Sequence, residues 1–181
     1  MDKHIRNLIL IDAIARTSSF LTVAILSVYI LHLDGNLTHY GDLMGIFGIS
    51  YGLTAIICSK HFLKYASILL PFSYLLLILY AILLIITSND IGPTYNFTPS
   101  DLETAPLLKS IIILYVGVFI YGIAFSIRSV MFLSELQSFT KDNKHLNLVI
   151  SKYKFVGAVL GAIATMGGAY FSHYYGFDIL F

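Results

Sequence analysis

Five stretches of this chain are each long and apolar enough to cross a lipid bilayer as a helix, and no other feature restricts its fold as tightly. A crossing takes roughly 20 predominantly apolar residues. The stretches run over about 8–33, 41–59, 66–87, 107–133 and 155–174 of the 181 residues. Two of the connections between them, 34–40 and 60–65, are short, and two, 88–106 and 134–154, are longer. The expected fold is therefore all-α, a polytopic membrane helix bundle of five transmembrane helices forming one domain over 1–181. Composition agrees. Charged residues make up 12% of the chain, against about 25% in an ordinary soluble domain. A formal net charge of +1 supplies no basic field for nucleic acid.

Charge placement orients the bundle. Lys3 and Arg6 precede the first segment, Lys60 and Lys64 lie between the second and third, and Lys141, Lys144, Lys152 and Lys154 lie between the fourth and fifth. The alternate regions hold Asp34, Asp42, Asp90, Asp101, Glu103 and Asp178, with Lys109 as their one lysine. Lysine and arginine collect on the cytoplasmic side of membrane proteins. The expected location is the cell membrane, multi-pass, with the N-terminus in the cytoplasm.

Each segment carries its own pattern. In the first, Asp12, Arg16, Ser19 and Ser27 recur at helical spacing and share a face. Asp12 and Arg16 are four apart and can pair along the helix. Two readings stay open: a pair that snorkels at the membrane surface, or a polar face turned toward an internal cavity. The second segment carries Gly41, Gly45, Gly48 and Gly52 on a single stripe, continued by Ala55 and Ser59. Such a stripe lets another helix approach closely in lipid. The third is Leu and Ile nearly all round, with no charge and no small stripe, and is expected to face lipid. The fourth puts Gly117, Tyr121, Ala124 and Arg128 on one face, with Glu135 further on. The polar stretch 137–154 reads either as a solvated connection or as a short amphipathic helix on the membrane surface. The fifth repeats the small stripe with Gly157, Gly161, Ala164 and Gly168. The last residues, 175–181, are again apolar and read as the opening of a sixth helix that is missing.

Other chemistries find no footing. The chain holds no His-Glu-x-x-His, no Gly-x-Ser-x-Gly and no paired intramembrane aspartates. Its six histidines are scattered without ligand spacing, so no metal is expected. The single Cys58 lies in an apolar context and reads as a buried small residue. No enzyme and no cofactor are expected.

The layout resembles the first half of a major facilitator superfamily transporter, particularly the bacterial multidrug-efflux type. Ala15-Arg16-Thr17-Ser18-Ser19 is similar to the Arg-x-x-Ser run early in the first helix of that group. Ala55 through Lys64 aligns with the Gly-x-x-x-Asp-Arg-x-Gly-Arg-Arg/Lys loop between helices two and three. There Lys60 and Lys64 match basic positions, while Ser59 stands for the aspartate, Ala55 and Phe62 for glycines, and Leu63 for an arginine. Arg128 is similar in place to the arginine of the fourth helix. The run Gly157 to Ala162 has the spacing of the antiporter Gly-Pro-x-x-Gly-Gly motif, with Ala158 for the proline and Ala162 for the last glycine.

The resemblance implies a small-solute carrier working by alternating access, with Lys60 and Lys64 in a gating loop. Helices one and four would line the central cavity, which makes Asp12, Arg16 and Arg128 the candidates for substrate or coupling roles. Helices two and five would meet a second six-helix half that this chain lacks. The partners implied are the bilayer, a small-molecule substrate and that missing C-terminal half. A different class of function also fits the glycine faces: a small structural or accessory membrane protein that associates with another membrane subunit.

Overall fold

A computed structural model describes residues 6–17, 26, 37–91, 105–139 and 143–175, and all of these described residues are helical. The helices are α1 (6–17), α2 (Leu37–Ile57), α3 (Ala66–Ile91), α4 (Ala105–Phe139) and α5 (Asn143–Tyr175). Most of the expected first crossing beyond residue 17, and the apolar residues 176–181, lie outside the described residues.

Among the described residues, three helical stretches are long and apolar enough to cross a membrane: Tyr40–Thr87, Ile111–Ser138 and Leu146–Gly167. Large apolar side chains cover their outer faces. Ile49, Ile68, Phe155, Ile163 and Met166 are all exposed, Met166 by 75%. Water would penalise so broad an apolar surface, whereas lipid tails accept it.

The first stretch, 48 residues long, is not one rod. The ring of Tyr121 stacks on Phe47 of α2 at 5.4 Å and on Tyr80 of α3 at 4.8 Å. A straight helix would hold those two residues about 50 Å apart. The chain therefore doubles back between them. It does so at Cys58–Tyr65 without a loop: five residues of π-helix, Cys58–Phe62, pass into one turn of 3-10 helix, Leu63–Tyr65. Widening and then tightening the backbone spiral in succession breaks the helical phase and turns the axis. Pro71, by contrast, sits inside α3, one turn past its start.

The chain divides into two compact units. One comprises Leu33–Ser134 and Phe181, the other Met1–His32 and Glu135–Leu180. In the first, α4 is the central helix. Its contacts with α2 pair Asp42 with Tyr115, Phe47 with Tyr121 and Tyr51 with Phe125, so the two helices run parallel. Its contacts with α3 pair Tyr80 with Tyr121 and Leu83 with Gly117, so those two run antiparallel. Two glycines make the close approach possible. A Cβ on Gly117 would lie 3.3 Å from the Tyr80 ring. One on Gly122 would lie 1.9 Å from Ser50 Oγ and 3.0 Å from the Phe47 carbonyl oxygen.

The third segment departs from its expected uniformity. Ile68, Leu75, Ile78 and Ile82 are exposed, as a lipid-facing helix requires, but Leu70, Ser73, Tyr80, Leu84 and Thr87 form a narrow buried seam. Ser73, Tyr80 and Thr87 are seven apart, a spacing hidden among so many leucines and isoleucines. The two small hydroxyls satisfy themselves: Ser73 donates to the Leu70 carbonyl and Thr87 to that of Leu84.

The polar stretch 137–154 is mostly helix, with 140–142 outside the described residues. Asn143–Lys154 form the opening turns of α5, and Leu146, Val149 and Tyr153 bury one face of them. That face continues through Gly157, Gly161 and Ala164. Residues 143–154 are thus neither a solvated connection nor a separate surface helix, but run directly into the fifth apolar segment. At 33 residues α5 is about 50 Å long, well beyond the roughly 30 Å apolar core of a bilayer.

Candidate functional site

Within the unit that holds α1 and α5, the most polar place is built from Asp12, Arg16 and Tyr153. Asp12 is 1% exposed. Its Oδ2 accepts from Arg16 Nε at 3.0 Å and also from the hydroxyl of Tyr153, 141 residues further along the chain. The Arg16 guanidinium carbon lies 4.4 Å over the Tyr153 ring. Each member therefore touches both others. The four-residue spacing on α1 brings carboxylate and guanidinium together, and Tyr153 arrives on the buried face of α5. One turn on, Gly157 leaves the Arg16 stem its room, since a Cβ there would lie 3.5 Å from Arg16 Cδ. Alanine would just make contact at that distance, and anything larger would push the arginine away.

A carboxylate removed from water is costly unless paired and hydrogen-bonded, and here it is both. Asp12 is buried while Arg16 keeps about a quarter of its side chain exposed. Opposite charges held this way can exchange their internal partners for an incoming charged group.

The other unit holds an aromatic cluster around α4. Phe47, Tyr51, Tyr80, Tyr121 and Phe125 form a chain of ring contacts, with centroids 4.8 to 6.1 Å apart. Arg128 continues it: its guanidinium carbon lies 4.9 Å from the Phe125 ring centre, and the residue is 0% exposed. An aromatic face attracts a cation electrostatically, and the attraction grows when water is excluded.

No protein-family model, curated protein or solved structure matches this chain.

The positions singled out in the sequence are placed as follows. Asp12 and Arg16 meet in one unit, and Arg128 belongs to the other, where Phe125 is its ring partner. Lys60 and Lys64 are exposed at the α2–α3 reversal, Lys64 Nζ 4.9 Å over the Tyr65 ring. The glycine stripe of α2 stands open: among the described residues, a Cβ on Gly41, Gly45, Gly48 or Gly52 would meet nothing within 4 Å. On α5, Gly157 and Gly161 are buried within the chain. Gly168 lies in the helix, and its surroundings are outside the described residues.

Sequence reasoning missed Tyr153, Ser50, Tyr80 and Gly122. Tyr153 stands between Lys152 and Lys154, in the basic stretch before the fifth apolar segment. Its place one turn before Gly157, on the same stripe, was the available signal. Gly122 was passed over because it stands off the stripe through Gly117 and Tyr121, and a second packing face on one helix needs a third helix to reveal it.

Proposed function

We propose that this protein carries a small solute across a membrane by alternating access, as part of a facilitator-type carrier. One observation carries the reading: charged side chains are buried among the helices, Asp12 beside a half-buried Arg16 and Tyr153 in one unit and Arg128 in the other. Ionisable groups are expensive inside membrane helices and there commonly mark solute, ion or proton pathways. The doubled-back stretch counts as two crossings, α2 and α3. On this reading α4, α5 and the first apolar segment supply the other three crossings. The buried Arg128 and the half-buried Arg16 favour a solute bearing an anionic group.

The test is direct. The protein is reconstituted into liposomes, and entry of a panel of labelled small organic anions and cations is followed against empty liposomes. Anion entry that is lost in Arg128→Gln and in Asp12→Asn supports the reading. Entry equal to that of empty liposomes for every solute refutes it.

The open glycine stripe on α2 favours a second reading, an accessory subunit that packs this face against another membrane helix. Crosslinking through Gly48→Cys to a specific membrane partner, with no solute entry, would select it.

A further inference from the structure

The α2–α3 reversal concentrates exposed basic and aromatic side chains. From Ser59 to Tyr65 every residue is exposed, including Lys60, His61 and Lys64. Phe62 and Tyr65 expose 40% and 43% of their surface, and Leu63 beside them 45%. The Lys64 ammonium is held over the Tyr65 ring at 4.9 Å. No acidic residue occurs between Tyr51 and Asn89, and neither lysine forms an ion pair among the described residues. The legs of the hairpin are 21 and 26 residues long. At helical rise they reach about 31 and 39 Å, enough for each to cross an apolar layer of roughly 30 Å. A hairpin whose legs both cross must hold its tip at the level of the lipid headgroups.

We infer that this tip is a binding surface for anionic phospholipid headgroups: Phe62, Leu63 and Tyr65 enter the interfacial layer, and the ammonium groups of Lys60 and Lys64 take the lipid phosphates. The inference rests on reading α2 and α3 as two crossings. Aromatic rings favour the interface, where an apolar body and a polar edge are both accommodated. Lysine stems lie along apolar surface while their charge reaches outward. The cation–ring contact ties Lys64 to its aromatic neighbour, so charge and anchor present themselves together. Uncompensated positive charge beside apolar anchors complements an anionic leaflet, not the uncharged tails that suit the exposed leucines and isoleucines of the legs.

The chain contains no tryptophan, so Phe62→Trp places a single fluorescent reporter at the tip. The full-length variant is reconstituted into mixed phosphatidylcholine and phosphatidylglycerol vesicles in which one lipid or the other carries bromine high on its acyl chains. The ratio of quenching by the two lipids gives the headgroup preference. The expected result is blue-shifted emission and preferential quenching by brominated phosphatidylglycerol, with up to roughly five-fold preference contributed by each lysine and weakened by salt. In F62W carrying Lys60→Gln and Lys64→Gln, the preference should fall to near unity. Equal quenching by the two lipids before the lysines are changed overturns the headgroup inference while leaving both crossings standing. A preference that survives loss of both lysines overturns it too. Water-like emission without quenching by either lipid removes the crossings as well. Tyr65→Trp provides the same reading if F62W does not fold.

Discussion

Replacing Gly122 by alanine should destabilise the protein, and the same change at Gly45 should not. Both glycines lie inside long helices, so alanine brings each the same intrinsic gain of about 0.8–1.0 kcal/mol. The difference between the two variants therefore isolates packing. At Gly45 the added methyl enters open space. At Gly122 it arrives 1.9 Å from Ser50 Oγ, 3.1 Å from Ser50 Cβ and 3.0 Å from the Phe47 carbonyl oxygen. Turning the serine hydroxyl away relieves only the first of these contacts, because the carbonyl belongs to the backbone of α2. The two helices must separate locally, and overpacking of this kind costs about 1–3 kcal/mol. The expected order of stability is Gly45→Ala at or above the parent, then Gly122→Ala lower than Gly45→Ala by about 1–3 kcal/mol. Thermal or denaturant unfolding of the purified protein in mild detergent measures this. Adding Ser50→Gly to Gly122→Ala should recover part of the loss, because the two changes share one contact and cannot be additive. Equal stability of the two alanine variants, or strict additivity of Ser50→Gly with Gly122→Ala, would refute the close approach of α2 and α4.

Tyr153→Phe keeps the ring under Arg16 but removes the hydroxyl from the Asp12 carboxylate. A loss of about 1.5–3 kcal/mol is expected in the same unfolding assay, because the acceptor is charged and buried. The double variant with Asp12→Asn should lose less than the two single changes together. Tyr121→Ala removes the ring shared by Phe47 and Tyr80 and should cost about 3–5 kcal/mol, which unfolding curves with unchanged helical content would register. Phe125→Leu leaves a similar volume under Arg128 but no ring face. It should cost about 0.5–2 kcal/mol, and a Phe125→Tyr variant should retain most of that stability.

Much of the fold was legible because bilayer crossing is a question of length and hydropathy, which a sequence carries directly. The second to fifth apolar segments coincide with helices α2 to α5, most of the first lies outside the described residues, and the Asp12–Arg16 pair followed from a four-residue spacing on one helix. What eluded the sequence depends on a second helix being present. Tyr153 reaches Asp12 from 141 residues away, and no local pattern encodes that meeting. The seam of Ser73, Tyr80 and Thr87 was masked because leucine and isoleucine occupy every face of α3, so burial could be assigned only once α4 stood beside it. Gly41 to Gly52 show the converse. Their register was plain in the sequence, yet among the described residues no side chain or backbone comes against them. The polar opening of α5 was ambiguous because its lysines obey the charge bias of membrane loops, while Leu146, Val149 and Tyr153 obey a helix period.

The loopless reversal at Cys58–Tyr65 has a bearing on how the gene can vary. Flexible loops absorb inserted or deleted residues, but here each residue between α2 and α3 is counted into a helical spiral. One residue more or fewer would rotate α3 by about 100° against α2 and carry the Tyr80 seam off α4. The length of this connection should thus be far less free to drift than its composition, and genuine relatives of the chain should be recognisable by a fixed separation between Phe47 and Tyr80 even where few side chains agree.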